Sequence, residues 1–282
     1  MVNACEAALK GLSRLKKSVP DTAAFENGQL VRRHFGAPPF ALKGLHVSAA
    51  AACAYYRDVL RRARGEPLQY ILGEWEFMSL PFYVTPDVLI PRPDTETLAE
   101  EAVRLLRGRP SPFVLDFCTG SGCLAVSVLH ALPGARGAAC DVSARALGVA
   151  RANAERNGVS TRLMLAEYDV LSRAPLPAFM RDADLIMCNP PYIPTGEIDE
   201  LDVEVCRYEP RIALDGGPDG LRFYRAVAAL GRTALAPGGT LIFEHGLGQG
   251  GDVCDIMRQN GYKNIRALRD LAGIERCAAG ER

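Results

Sequence analysis

The chain has 282 residues, 48% hydrophobic and 23% charged, which suits a soluble globular protein with one large domain, or a domain plus a smaller appendage. Its formal net charge is zero, so whole-molecule electrostatics do not favour nucleic acid and leave room only for a local basic patch. No apolar run approaches the roughly 20 residues needed to cross a bilayer, and the nine cysteines are scattered, odd in number and without a C-x-x-C pair, which argues against a disulfide framework or a zinc site. His34, His46, His130 and His245 stand in no metal-ligand spacing, so no metal is expected. The expected compartment is the cytoplasm.

Residues 1–72 are rich in Ala, Leu, Lys and Arg and predict a small helical bundle. In "MVNACEAALKGLSRLKKS" apolar residues recur every three or four positions, as in an amphipathic helix, and the unbroken apolar core of a secretory signal is missing. "VSAAAACAYYRDVLRRARGEP" predicts a helix that starts near Ser48 and is ended by Gly65 and Pro67. Residues 73–90 change character. Trp75, Phe77, Leu80, Phe82 and Val84 are spaced as in a β-hairpin, with Pro81 putting one arm near an edge. This hairpin is read as the linker to a second domain, 91–282.

From Pro91 onward, short apolar runs alternate with amphipathic helices. "TETLAEEAVRLL" predicts a helix opened by a Thr97–Glu100 capping box. "FVLDF", "GAACD", "RLMLA", "ADLIMC" and "GTLIFEH" read as strands, and "KNIRALRD" and "GIERCAAG" as two last ones. Helices are expected from about Gly122, over "ARALGVARANAERN" and over "LRFYRAVAALGRTAL". The pattern implies an α/β fold, a mostly parallel sheet with helices on both faces.

"LDFCTGSGCLAV" joins a buried strand to a helix. Gly120 and Gly122 permit a tight turn and close approach of a ligand, and the helix start offers unpaired N–H groups. Asp116 ends the strand beside the loop. Asp141 ends the next strand, about 20 residues on, where an acid accepts from ribose hydroxyls. The loop is not G-x-G-x-x-G, which disfavours a nicotinamide dinucleotide. It resembles the first motif of class I S-adenosylmethionine-dependent methyltransferases. That resemblance implies a cofactor cradle of Asp116, Cys118, Thr119, Gly120, Ser121, Gly122 and Asp141, with Asn189 at its edge and Asp169, or Val170 beside it, against adenine. Cys118 stands where glycine is usual, tolerable if its φ is negative.

"NPPY" follows the strand "ADLIMC", and so belongs at the carboxyl edge of the sheet. Planar –NH2 groups are poor nucleophiles and must be held by both hydrogens. The Asn189 oxygen can accept one and the Pro190 carbonyl the other. Pro190 and Pro191 stiffen the segment, and Tyr192 can stack on the planar group. Asn189, Pro190 and Tyr192 are therefore the catalytic candidates, and with Pro191 and Arg92 they form the substrate set. For Arg92 a structural ion pair competes with a pocket role. For Thr95 a helix cap is preferred to a place in the site. Glu209 and Pro210 are expected to shape a loop over the pocket, Gly216, Gly217 and Gly220 to serve turns, and His245 to be packed.

"GEPLQYILGEWEF", "VLIPRPDTETL", "NPPYIP", "YEPRIALDGGPDGLRFYR" and "LAPGGTLIFEHGLGQ" together resemble the release factor glutamine N5-methyltransferases over about residues 60–277. Asp94 and His245 depart from the residues usual there, Glu and Ile. The resemblance implies methyl transfer from S-adenosylmethionine to the glutamine of a Gly-Gly-Gln motif in class I peptide chain release factors. It further implies a protein partner docked by the helical domain, with no direct nucleic acid and no membrane. The alternatives are methylation of a ribosomal-protein glutamine, methylation of an adenine amino group in nucleic acid, and a non-enzymatic module that only docks translation factors.

Overall fold

The computed structural model describes residues 1–172, 174–270 and 272–282. It divides into two compact units, residues 1–73 with 202–208 and residues 74–201 with 209–282.

The first unit is helical. Helix α1 (Ala4–Leu15) is capped by Asn3, whose side chain accepts the Glu6 N–H, and α3 (Ala49–Arg62) by Ser48, which accepts the Ala51 N–H. Between them lies α2 (Ala23–Phe35), and α4 (Leu68–Leu72) follows. Strands β1 (Val2–Asn3) and β2 (His46–Val47) pair antiparallel. Tyr55 is fully buried at the centre and donates to Asn27 Oδ1 at 2.5 Å. Gly11 makes this possible, because a Cβ there would lie 1.8 Å from the Tyr55 hydroxyl. Arg62 is buried and pairs with Glu26 at 2.6 Å and with Glu204 of the short helix Val203–Tyr208 at 2.9 Å.

The second unit opens with a hairpin, β3 (Glu74–Phe77) and β4 (Leu80–Tyr83), turned by Met78 and Ser79 at positive φ. Helix α5 (Glu96–Leu106) begins two residues earlier than the sequence predicts. A 3-10 turn over Pro93–Thr95 leads into it, so Thr97 and Glu100 fall inside the helix and form no capping box. Thr95 occupies the cap position, yet its side chain makes no cap hydrogen bond.

Seven strands then build the central sheet: β5 (Phe113–Phe117), β6 (Arg136–Asp141), β7 (Leu163–Glu167), β8 (Ala183–Cys188), β9 (Leu235–Glu244), β10 (Lys263–Arg269) and β11 (Glu275–Glu281). Their order is β10-β11-β9-β8-β5-β6-β7. The run from β9 to β7 is parallel, and β11 and β10 are antiparallel. Helices α6 (Cys123–Ala131) and α7 (Ala144–Arg156), with helices Arg222–Ala234 and Gly250–Gln259, complete the unit. The last of these was not read from the sequence.

The inner strands are covered on both faces, which is why β5, β8 and β9 read as mostly apolar runs, while the edge strand β10 carries Lys263, Arg266 and Arg269 and is largely exposed. Leu115, Ile186, Cys188 and Phe243 pack with Tyr224 and Val227 on one face. Val114, Leu185, Met187 and Ile242 pack with Leu98 and Ala102 on the other. Successive residues of a strand point to opposite faces, so each strand feeds both clusters. Truncating fully buried Phe243 to Ala would cost ~3–5 kcal/mol. No helix among the described residues is long and apolar enough to cross a membrane.

Candidate active site

Strand order reverses between β5 and β8: the chain runs outward one way through β5, β6 and β7, then returns to β8 and β9 on the other side. Ligands of open α/β sheets bind at the carboxyl ends beside such a reversal. The loops after β5, β6, β7 and β8 line a cavity there of about 920 Å³, its open mouth included.

The glycine loop is held from behind. Asp116, fully buried, accepts the Thr119 hydroxyl at 2.6 Å on Oδ2, while Oδ1 has no partner. Burial pushes its carboxyl up to about 7. It supports the loop and does not line the cavity. Asp141 does line it, and accepts the Gly120 N–H and the Ser143 N–H at 2.9 Å each. Burial raises its pKa, against those backbone donors.

The two loop glycines serve different ends. Gly120 lines the cavity at φ +54, with nothing within 4 Å of a Cβ position. Gly122 is not in the lining. At φ +79, a Cβ there would meet the Ala150 Cβ of α7 at 3.1 Å, so this glycine lets α6 pack. Cys118, Thr119 and Ser121 line the cavity. The condition under which Cys118 is tolerated, a negative φ, is not met: it sits at +58, in the left-handed region. Asn153 of α7, fully buried, fastens the loop from below. It donates to the Ser121 carbonyl at 2.9 Å and exchanges two hydrogen bonds with the Tyr83 backbone at 2.6 and 3.0 Å.

After β8 the chain carries Asn189 and Pro191 onto the cavity wall. Pro190, buried, and Tyr192, half-buried, are not in the lining. Asn189 Nδ2 donates to Thr95 Oγ1 at 3.2 Å. The preferred capping role of Thr95 is thus replaced by a place in the site, because the preceding 3-10 turn aims its hydroxyl across at β8. The Tyr192 carbonyl accepts from Gln249 Nε2 at 2.9 Å. Gly216 and Gly220 do more than serve turns: a Cβ on either would lie 2.8 Å or less from the Tyr192 backbone. Burial, then the nearby Glu244, pushes the Tyr192 hydroxyl up to about 12.

Arg92 fills both roles left open for it. It lines the cavity and pairs with buried Glu209, which also accepts the Ile90 N–H at 3.3 Å. Asp169 and Val170 both lie in the lining, Asp169 accepting the Leu171 N–H at 2.8 Å. Ser143, Tyr168 and Phe223 also line it, and no local pattern points to them. Phe223 opens an amphipathic helix and reads as core. Val88, Leu89 and Pro91, also in the lining, fall within the stretch "VLIPRPDTETL", and Asp87 directly precedes it.

This donor set fits S-adenosylmethionine. Each Asp141 oxygen keeps a second lone pair for a ribose hydroxyl. The space at Gly120 is that of a backbone meant for close approach. Val142, Val170 and Phe223 offer apolar walls for a flat base.

A family described as "Methyltransferase small domain" matches residues 97–204. A release factor glutamine methyltransferase of Moorella thermoacetica is 47% identical over 232 residues, 82% of this chain and 80% of the relative. One from Geobacter sulfurreducens is 44% identical over 238 residues, 84% of this chain and 80% of the relative. Among solved structures, the hMettl16 catalytic domain in complex with an RNA hairpin covers 84% of this chain and 83% of its own at TM-score 0.57. At 15% identity it speaks to the fold alone.

Proposed function

This chain belongs to the release factor glutamine methyltransferase family, and from that premise we propose how its site works. It is a methyltransferase acting on a release factor glutamine. The acceptor in our reading is the side-chain nitrogen of the glutamine in a Gly-Gly-Gln motif of class I release factors, methylated in the cytoplasm so as to modulate translation termination. The observation that carries the reading is the Asn189 carboxamide on the cavity wall. Its Nδ2 is bonded to Thr95, which leaves Oδ1 as the terminus for an incoming N–H.

S-adenosylmethionine, when bound, supplies an electrophilic methyl group. Cys118, Thr119, Gly120 and Ser121 would hold its amino-acid end, Asp141 its ribose, and Asp169 or Val170 its adenine. Everything else falls to the chain itself. A carboxamide nitrogen has a delocalised lone pair, so it reacts only when oriented. Asn189 Oδ1 accepts one of its hydrogens and the Pro190 carbonyl the other, and these acceptors stabilise positive charge developing on nitrogen. Fixing the nitrogen in line is worth up to ~7–11 kcal/mol in favourable systems. No strong base is needed, since the alkylated cationic nitrogen is acidic. Tyr192, held near 12, stays neutral and serves by fixing the segment's shape. Arg92 and Pro191 complete the wall that meets the substrate, and the helical unit, residues 1–73, helps to dock the release factor.

Asn189→Ala is expected to lower turnover roughly 100- to 1000-fold, the loss typical of a deleted transition-state hydrogen bond, with S-adenosylmethionine affinity preserved by calorimetry. Near wild-type turnover in that variant refutes the assignment.

A further inference from the structure

Strands β8 and β9 run parallel with Cys188 opposite Phe243, so the next residue of each, Asn189 just past β8 and Glu244 at the last position of β9, stand side by side at the carboxyl edge of the sheet. Glu244 is 3% exposed, and its Oε2 has no hydrogen-bond partner. A buried carboxylate with an orphaned oxygen is costly. It persists where surrounding structure holds it for a purpose. Thr95 and Asn189 both face the carboxylate and stabilise its charge. Thr95, itself 2% exposed, accepts from Asn189 Nδ2 and so has its own O–H left to donate.

We propose that Glu244 is a positioning residue: as an anion, acting with Thr95, it fixes the Asn189 carboxamide with nitrogen inward and oxygen toward the cavity. The inference rests on the glutamine-methylation reading above. An asparagine amide is nearly symmetric in shape, and only its neighbours decide which end is the acceptor. Flipped, Asn189 would set Oδ1 against a carboxylate and present an N–H pair to a substrate –NH2, two donors facing two donors. An ionised Glu244 forbids that state. A protonated one can donate, and then the flipped amide is tolerated.

Burial, and then repulsion from Asp94, push Glu244 up to about 7, while Thr95, Arg276 and Asn189 oppose the shift. The other groups around it are Cys277 of β11, Cys123 of α6, Tyr192, and Tyr224, whose hydroxyl donates to the Glu244 carbonyl at 3.0 Å. Burial holds these thiols and phenols protonated across neutral pH. Asp116 titrates in the same range, so wild-type pH dependence alone does not identify the group.

The test is steady-state methyl transfer from labelled S-adenosylmethionine to intact release factor, from pH 5.5 to 9. Wild type, Glu244→Gln, Thr95→Val and Thr95→Ser are compared. Wild-type kcat should rise through an acidic limb near 7. Glu244→Gln should lose roughly 30-fold or more in kcat with KM within about twofold, as for an interaction used only in the transition state, and should lose that limb. Thr95→Val should behave likewise, and Thr95→Ser, which keeps the hydroxyl, should stay within about threefold of wild type. Unchanged kcat and an intact limb in Glu244→Gln overturn the proposal, as does equal loss in Thr95→Ser and Thr95→Val. If Glu244→Gln fails to fold, the two threonine variants decide. A wild-type enzyme that transfers nothing to release-factor glutamine instead refutes the reading on which the proposal stands.

Discussion

At position 189 a short polar side chain closes an apolar strand, and its neighbours decide what it offers. The strand's end, the two prolines and the following tyrosine were legible in the sequence because polar amides rarely stop a buried run. The partners that orient the amide were not. Thr95 reads as a helix cap, and Glu244 as the end of an apolar strand; the 3-10 turn over Pro93–Thr95 brings the first to Asn189, and the parallel register of β8 and β9 brings the second. Glu244 should leave a mark on stability. Its ordinary value is 4.5 and its folded value about 7, so between those pH values the folded state binds the extra proton. Stability from this group is therefore full below about 4.5 and is lost as pH rises to about 7. Thermal melts of Glu244→Gln should show a flatter decline than wild type across that window, and a parallel decline would contradict it. Cys118 is a second such case, since its left-handed φ of +58 is strained for any side chain. Cys118→Gly should raise stability by ~0.5–1 kcal/mol, strain relief less the entropy glycine costs. A shifted urea midpoint at constant m-value measures it, and a lower midpoint would contradict the account.

At the scale of elements, α7 is the part that joins otherwise separate pieces. Its Asn153 bonds the hairpin backbone at Tyr83 and the glycine loop at Ser121. Asn153→Ala leaves three backbone groups, the buried Ser121 carbonyl and the part-buried Tyr83 N–H and carbonyl, without these bonds, and should cost roughly 2–4 kcal/mol. It should also weaken S-adenosylmethionine binding. Denaturant unfolding and calorimetry check both, and a loss below about 0.5 kcal/mol, the usual surface-mutation range, would deny Asn153 this role. Most elements of this unit could be read in advance, since strands buried on both faces are continuous apolar runs. The helix Gly250–Gln259 could not: it opens on two glycines and its N-terminal residue provides no side-chain cap. The Thr97–Glu100 box misled for the opposite reason, a good local signal overridden by the 3-10 turn at Pro93.

For the molecule as a whole, the alternation of strands and helices foretold a parallel α/β sheet, while the strand order depends on long-range pairing that no local pattern encodes. The site lies at the reversal in that order, which is why residues from β5, β6, β7 and β8 share one cavity. Zero net charge favours a protein substrate over a polyanion. The choice between glutamine and adenine lies beyond the Asn-Pro-Pro-Tyr segment, which serves any planar –NH2. The most direct measurement is tandem mass spectrometry of release factor, ribosomal protein and DNA incubated together with the enzyme and labelled S-adenosylmethionine. One methyl group is expected on the side-chain nitrogen of the release-factor glutamine, absent when that glutamine is replaced. Label only in DNA, or label that survives replacement of the glutamine, would contradict it.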